Sequence, residues 1–230
     1  MDERLLFDKI TNLRERVRLA AEKSQRTPGD IQILAVSKTH PAGAIRAAWR
    51  GGLDQFGESY LQEALAKMTE LQDLPLTWHF IGPIQSNKTR PIAEHFDWVH
   101  SVDRGKIAQR LNQHRPESLP PLQICLQVNI SGESSKSGAS LEELPRLASE
   151  VLLLPRLRLR GLMAIPAPTS DPTQQRAAFA MLRQAMAQLQ SLAPAMDTLS
   201  MGMSDDLEAA IAEGATMVRV GSGIFGSRNR

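Results

Sequence analysis

The chain has 230 residues, which is enough for one large domain or two small ones. Apolar residues make up 42% and charged residues 23%, values typical of an ordinary globular domain. Its 27 basic residues are scattered among 25 acidic ones, for a net charge of +2. This balance excludes an electrostatic argument for binding nucleic acid or an anionic membrane surface.

Cysteine usage and the first residues bear on the compartment. The single cysteine, Cys125, rules out an internal disulfide framework, and its apolar surroundings indicate a small buried residue and not a reactive thiol. The charged N-terminal segment lacks a signal-peptide core, and no apolar run approaches the roughly 18 residues of a membrane span. We therefore expect a cytoplasmic protein without membrane contact, and the lack of a second domain favours a monomer.

The chain opens with apolar residues at helical spacing between Leu6 and Ala20, which predict a first helix. Eight apolar runs of strand length follow: 31–36, 55–57, 76–81, 98–102, 122–128, 157–164, 198–201 and 217–220. Helical patterns separate them: 42–50, 60–71, 88–95, 104–113, 141–153, a long helix that includes 182–192, and 205–213.

This alternation predicts a parallel sheet with right-handed crossovers. Eight units favour a single (β/α)₈ TIM barrel, although 230 residues is short beside the roughly 250 that are typical. No linker divides the chain, so we expect one domain over residues 1–230. The eighth helix is missing or vestigial in the pattern, and the extra N-terminal helix could cover that gap. A doubly wound open sheet is the alternative.

In such barrels the functional groups lie on the loops after the strands. Lys38 directly follows the first apolar run, and Glu58 and Ser59 follow the second. Partial burial at a strand end lowers a lysine pKa and leaves more free amine, the form that attacks an aldehyde. An ordinary surface lysine is the alternative interpretation of Lys38.

The loops after the seventh and eighth runs are candidates for a phosphate site. They read Ser-Met-Gly-Met-Ser over 200–204 and Gly-Ser-Gly-Ile over 221–224, with glycines for close approach and N–H and hydroxyl donors for a dianion. Tight turns with ordinary helix capping would explain either loop alone. Residues 221–226 also match G-x-G-x-x-G, but the second strand and distant acidic residue of a dinucleotide site do not follow.

Arg219 lies between Val218 and Val220, so its side chain should point opposite to theirs, into the barrel mouth. A pyridine nitrogen is a candidate acceptor, and beside an arginine it would stay unprotonated and make the ring a poorer electron sink. A structural ion pair is the alternative. No metal site is expected, because no metal-ligand spacing occurs among the histidines His40, His79, His95, His100 and His114.

Seven motifs together resemble one family: LAVSKT (34–39), FGESY (56–60), WHFIGPIQSNK (78–88), SSKSG (134–138), RGLMA (160–164), LSMGMSDD (199–206) and VRVG (218–221). Through them the chain resembles the YggS/PROSC-type pyridoxal phosphate homeostasis proteins, from the first helix to the C-terminus. This resemblance implies a barrel like the N-terminal domain of alanine racemase. It also implies a pyridoxal 5′-phosphate (PLP) cofactor bound as a Schiff base.

The resemblance implies that Lys38 carries PLP, that Arg219 lies near the pyridine nitrogen, and that the two loops contact the phosphate. The expected cofactor-binding residues are Lys38, Ser200, Met201, Ser204, Arg219, Gly221, Ser222 and Gly223. The chain departs from the family at Ser59, where asparagine is frequent, and in the last loop, where Gly221-Ser222 replaces the frequent Gly-Thr.

The resemblance implies a carrier or regulator of PLP supply and of amino-acid and keto-acid balance that has no established catalytic turnover. PLP-dependent apoenzymes and amino or keto acids are therefore the expected partners, and no catalytic residue is expected. The alternative is a racemase-like enzyme, which needs acid–base groups on both faces of the substrate. Related racemases take a tyrosine from a second domain, whereas this chain has a single tyrosine, Tyr60. A barrel for another phosphorylated metabolite would not require Lys38.

Overall fold

The structure, a computed structural model, describes residues 2–132 and 137–226, so Ser134, Ser135 and Lys136 of the SSKSG motif lie outside it. Its strands are β1 (Gln32–Val36), β2 (Gln55–Glu58), β3 (Thr77–Phe80), β4 (Trp98–Val102), β5 (Leu122–Gln127), β6 (Leu157–Met163), β7 (Thr198–Ser200) and β8 (Met217–Val220). They form a closed parallel barrel in chain order. Leu34 of β1 pairs with Arg219 of β8 to close it. The predicted barrel is confirmed, and the open-sheet alternative is wrong.

Helices connect the strands and surround the barrel: α1 (Glu3–Lys23), α2 (Ala42–Arg50), α3 (Leu61–Glu70), α4 (Thr89–His95), α5 (Gly105–His114), α6 (Leu144–Leu152), α7 (Pro172–Leu189), α8 (Leu207–Ala212) and α9 (Ser222–Phe225). Most begin and end within three residues of the predicted bounds. Helix α8 starts later than predicted, because Asp206 accepts a hydrogen bond from the Met203 backbone N–H in a local turn. Asp205 and Asp206 therefore precede the helix.

Helix α1 begins at an N-cap, Asp2, whose side chain accepts from the Arg4 backbone N–H at 2.9 Å. Its apolar stripe, which includes Leu6 and Ile10, is buried. The helix packs against α2, α8 and α9. It thus packs beside the four-residue α9, the one helix that follows β8 within the described residues, where the sequence suggested that an N-terminal helix could cover a gap.

Polar side chains fill part of the barrel interior. His100 of β4 hydrogen-bonds across the barrel to Ser200 of β7, and both are fully buried. Apolar side chains pack between the strands and the outer helices, which is why the strands read as nearly continuous apolar runs. Cys125 is also fully buried, and burial raises the pKa of its thiol to about 12. None of the described helices is both long enough and apolar enough to cross a membrane.

Candidate functional site

A cavity of about 280 Å³ opens at the carboxyl ends of the strands, close to the smallest size typical of small-ligand sites. Five of the eight residues predicted from the sequence line it: Lys38, Ser204, Arg219, Gly221 and Ser222. Lys38 follows β1 and Arg219 lies on β8, while Ser204 follows β7, Gly221 follows β8 and Ser222 begins α9. The fold therefore places the predicted amine and guanidinium around one cavity with the segments 200–204 and 221–224, which we call the two glycine–serine loops.

The two glycine–serine loops are joined directly. The Ser222 hydroxyl donates to the Ser204 hydroxyl at 3.1 Å, and the Gly223 N–H donates to the same Ser204 oxygen at 3.3 Å. Gly223 thus lies immediately beside the cavity wall. The other two predicted residues lie deeper: the Ser200 hydroxyl is in the barrel interior, and Met201 is fully buried in the core.

Glycine is needed in the last loop because of close packing. A Cβ at Gly221 would lie 3.2 Å from the Val36 carbonyl oxygen, and a Cβ at Gly223 would lie 2.8 Å from Val220 Cγ1. A side chain at Gly221 would crowd the end of β1, which leads into Lys38, and one at Gly223 would crowd Val220 of β8. Glycine at both positions therefore lets the loop pack closely against these two strands.

A buried charged cluster holds the end of β1 from outside the barrel. We call it the outer cluster; it consists of Ser37, Glu58, Glu63 and Lys67. The Lys67 ammonium donates to Glu58 Oε1 at 2.8 Å, to the Ser37 carbonyl at 2.9 Å, and to Glu63. The Ser37 hydroxyl donates to the same Glu58 oxygen at 2.6 Å. The residue before Lys38 is thereby fixed through both its side chain and its carbonyl.

The residue after Lys38 is held by the same cluster. Thr39 has a left-handed backbone, with φ of 70°, which is strained for a β-branched residue. Its N–H donates to Glu63 Oε1 at 2.6 Å. Such strain persists only where the surroundings enforce it, and it is concentrated at functional sites. The outer cluster therefore fixes the backbone on both sides of Lys38.

Glu58 is not a loop residue at the barrel mouth, as its position after the second apolar run suggested. It is the last residue of β2, fully buried beneath α3. Burial raises the pKa of its carboxyl, while hydrogen bonds from Lys67 and Ser37 oppose that shift. Its second oxygen, Oε2, has no hydrogen-bond partner among residues 2–132 and 137–226.

Arg219 is 4% exposed and is held by neutral acceptors. Its Nη1 donates to the Ser200 carbonyl and, at 2.9 Å, to the Ser200 hydroxyl, and its Nη2 donates to the Ala164 carbonyl at 2.9 Å. No carboxylate of residues 2–132 and 137–226 hydrogen-bonds to it, although the charge of Asp206 acts on it from a longer distance. Burial lowers the pKa of Arg219 to about 10, which leaves it cationic at neutral pH.

Sequence reasoning missed several lining residues. His40, two residues after Lys38, lines the cavity and stacks on Phe225 with ring centroids 4.9 Å apart. Ile81 and Ile165 add apolar walls and also line a larger adjoining cavity of about 1000 Å³. Alternation along the strands could have indicated Ile81, which lies two residues after the inward-facing His79. Tyr60 does not line the cavity, and it is 52% exposed at the start of α3.

Chemically, the cavity offers an amine, two loops rich in hydroxyl and N–H donors, and one buried cation. An amine can form a Schiff base with an aldehyde, and glycine–serine loops suit a phosphate dianion. The donor set thus fits a phosphorylated aldehyde with a ring acceptor for Arg219.

Comparison with known proteins points to the same chemistry. The family described as "Alanine racemase, N-terminal domain" matches residues 9–229. A Pseudomonas aeruginosa protein named pyridoxal phosphate homeostasis protein is 63% identical over 224 residues, covering 97% of this chain and 96% of its own length. The protein of the same name from Escherichia coli K12 is 54% identical over 223 residues, covering 96% and 95%.

Solved structures extend the comparison. PipY of Synechococcus elongatus with PLP bound is 44% identical, with a TM-score of 0.78 and coverage of 93% of this chain and 99% of that chain. Alanine racemase of Corynebacterium glutamicum is 17% identical, with a TM-score of 0.66, and covers 96% of this chain but 62% of its own. The second similarity concerns the fold alone.

Proposed function

The chain belongs to the alanine racemase N-terminal domain family, and within it to the pyridoxal phosphate homeostasis proteins; from this premise we propose that it binds PLP as a Schiff base on Lys38. Its role is PLP homeostasis, that is, holding and supplying the cofactor without catalytic turnover. The barrel forms one PLP-binding domain.

One observation carries the proposal: Lys38, Arg219 and the two glycine–serine loops line the same cavity. These groups come from opposite ends of the sequence and meet only because β8 closes the barrel onto β1. The PLP-bound PipY structure, at 44% identity, supports the choice of PLP among phosphorylated aldehydes.

Each part of the cavity has a proposed role. Lys38 supplies the amine that forms the covalent bond. Ser204, Ser222 and the N–H groups of Gly221 and Gly223 hold the phosphate, and Arg219 faces the ring nitrogen. Ser200 and Met201 support these groups from beneath. When bound, PLP supplies a reactive aldehyde and an electron-withdrawing ring, and a cationic arginine at the ring nitrogen would weaken the latter.

A carrier role is favoured over racemisation by what lines the cavity. A racemase needs a second acid–base group opposite the lysine. Tyr60, the residue type that racemases use there, lies away from the cavity. Besides Lys38, the described lining groups that could exchange a proton include His40, which is stacked on Phe225, and Asp205. The similarity to alanine racemases rests on 17% identity and concerns their fold. The recipients we propose are PLP-dependent apoenzymes, with effects on amino-acid and keto-acid pools.

The direct test is the absorbance spectrum of the purified protein with PLP, followed by borohydride reduction and peptide mapping. We expect a yellow protein and a pyridoxyl group on the peptide that carries Lys38. A matched Lys88→Ala variant should keep the label, whereas Lys38→Ala should lose it. A colourless protein, or a label on another lysine, would contradict the proposal.

We also propose that the protein acts as a cytoplasmic monomer. Three of its large exposed apolar side chains lie on separate helices, Leu19 on α1, Leu152 on α6 and Met181 on α7, and two others, Ile165 and Met203, line the cavity. This distribution gives little support for an oligomer. Sedimentation of the purified protein and fractionation of cells expressing it test the two parts. A dimer at micromolar concentration would contradict the first part.

A further inference from the structure

A chain of hydrogen bonds crosses the barrel interior and ends at Arg219; we call it the inner chain. Gln55 Oε1 lies 2.7 Å from His79 Nε2, and His79 Nδ1 lies 2.9 Å from His100 Nε2. His100 Nδ1 lies 2.8 Å from the Ser200 hydroxyl, which lies 2.9 Å from Arg219 Nη1. The inner chain therefore links the first residue of β2 to the cavity.

Gln55 and Arg219, at the two ends, fix the direction of the bonds in the inner chain. Gln55 Oε1 can only accept, so a neutral His79 donates to it from Nε2 and accepts at Nδ1. His100 then donates from Nε2 to His79 and accepts at Nδ1 from the Ser200 hydroxyl, whose oxygen accepts from Arg219. All four donors point away from the cavity, and no donor or acceptor along the path is left unmatched.

This direction requires both imidazoles to be neutral. A protonated His100 would donate from both nitrogens, and the Ser200 proton would then have no acceptor in the inner chain. Both histidines are fully buried, and burial lowers the pKa of His79 to about 3. Burial, His79 and Arg219 also lower the pKa of His100. The two neutral imidazoles therefore set the direction of the hydrogen bonds on either side of them without adding charge to the inner chain.

The inner chain matters because it is part of what holds a buried cation in place. Three hydrogen bonds to neutral atoms fix the Arg219 guanidinium, and one of them ends on the Ser200 hydroxyl. That hydroxyl is a good acceptor because His100 takes its proton, and linked bonds polarise one another. Arg219 is thus held by direct hydrogen bonds to neutral atoms, and the Asp206 carboxylate acts on its charge only from a longer distance.

We propose that Gln55, His79, His100 and Ser200 are positioning residues that orient Arg219 toward the ring nitrogen of PLP. The inference rests on the proposed function and deepens it. It also gives Ser200 a role different from the phosphate contact that the sequence suggested. None of the four residues lines the cavity, so each would act on the ligand only through Arg219.

The test compares PLP with two probes: its 1-deaza analogue, in which C–H replaces the ring nitrogen, and unphosphorylated pyridoxal. Ser200→Ala should weaken PLP binding about tenfold, the effect of one buried hydrogen bond, and should change binding of the deaza analogue by no more than about twofold. Binding of pyridoxal should weaken by the same factor as binding of PLP. If PLP binding weakened more than pyridoxal binding, Ser200 would hold the phosphate and the inference would be overturned.

A second variant acts at the far end of the inner chain. Gln55→Met removes the terminal acceptor without touching the cavity, and it should weaken PLP about threefold, part of one hydrogen bond. Gln55→Glu keeps an acceptor oxygen and should restore binding. Gln123→Met is the matched control, because Gln123 also lies near the start of a strand, but its side-chain oxygen accepts a hydrogen bond from Arg160. Thermal unfolding of each variant checks that the barrel is intact.

Nitrogen-15 NMR of the cofactor-free protein reads the inner chain itself. His79 and His100 should both be neutral and protonated on Nε2, and Gln55→Met should disturb both signals. Protonation on Nδ1, or equal losses for PLP and its deaza analogue in every variant, would overturn the inference. Wild-type protein that binds neither ligand would overturn the proposed function as well, so the two failures differ.

Discussion

Lys67 and Arg219 are both buried cations beside β1, yet the protein compensates their charges in different ways. Lys67 reaches β1 from outside the barrel and contacts the carboxylates Glu58 and Glu63. Arg219 lies on the neighbouring strand and contacts carbonyl and hydroxyl oxygens. When carboxylates contact a buried cation, they neutralise its charge, and the pair stabilises the folded structure. A cation held by neutral atoms keeps its attraction for an electron-rich ligand atom, which suits a binding site.

The largest expected effect breaks the outer cluster. Lys67→Met leaves Glu58 buried without its cation, and this should lower the free energy of unfolding by about 3–5 kcal/mol. Urea denaturation at neutral pH measures it. The control is Arg46→Met, which breaks the exposed Arg46–Asp73 pair and should cost far less. Similar losses in both variants would show that the outer cluster contributes little.

Acid should affect the inner chain and the outer cluster in opposite directions. The folded-state pKa of His79, about 3, lies below the unfolded value near 6.5, and that of His100 is lowered too. Their stabilisation is therefore present above pH 6.5 and is lost as the pH falls, by up to about 1.4 kcal/mol per pH unit for each. Burial instead raises the pKa of Glu58, so its protonation does not add to this loss.

Unfolding free energies at pH 7, 6 and 5 test the acid prediction. Stability should fall steadily below pH 6.5, while NMR shows both histidines still neutral in the folded protein. A flat profile, or histidine signals that titrate near pH 6.5, would contradict the assignment of two neutral buried imidazoles.

A carboxylate added beside the glycine–serine loops, in addition to the Asp205 that already lines the cavity, should repel a phosphate. Ser222→Asp should weaken PLP about tenfold or more and pyridoxal much less, because the new charge faces the phosphate. Spectroscopic titration with both ligands measures the difference, and Ser222→Ala is the control for loss of the hydroxyl. If both ligands weaken equally, Ser222 acts on the loop's shape and not on the phosphate.

The smallest expected effect concerns catalysis, because we expect the PLP-bound protein not to racemise amino acids. With PLP bound, exchange of the Cα proton of L-amino acids in heavy water should stay near the rate of free PLP. Tyr60, the residue type that racemases use, does not line the cavity, and Arg219 would leave the ring a weaker electron sink. Fast exchange that disappears in Lys38→Ala would make the protein an enzyme. Repeating it with His40→Ala would identify the second base.

The sequence predicted the fold well and the site in part. Parallel barrel strands are buried on both faces, so each read as an apolar run that ends at a polar loop. This placed Lys38, Ser204 and Ser222 correctly at the barrel mouth. It was harder to predict whether a residue at the end of a strand points into the barrel or outward, because a shift of one residue reverses the direction. Glu58 therefore looked like a mouth residue although it faces outward, and nothing in its spacing from Lys67 revealed their pairing.

The inner chain was missed for a different reason. Metal-binding histidines are recognised by their spacing along the sequence, and His79 and His100 lack such a spacing. They are, however, each the third residue of consecutive strands, β3 and β4. His79 pairs with Trp98, two residues before His100, so the two histidines face the same side of neighbouring strands, and this was a usable signal. Contact with Ser200 and Arg219 crosses the barrel and could not be read from spacing.

The pairing of β1 with β8 also has a consequence for how the protein is made. Lys38 emerges early during synthesis, whereas Arg219 and the last glycine–serine loop emerge near the end. Contacts between residues so distant in sequence form late and slowly in folding. A nascent chain that lacks β8 would have the amine but neither the loop nor the guanidinium that face it. Retention of the cofactor thus reports that the whole barrel has closed, and partly made chains should be unable to take it up.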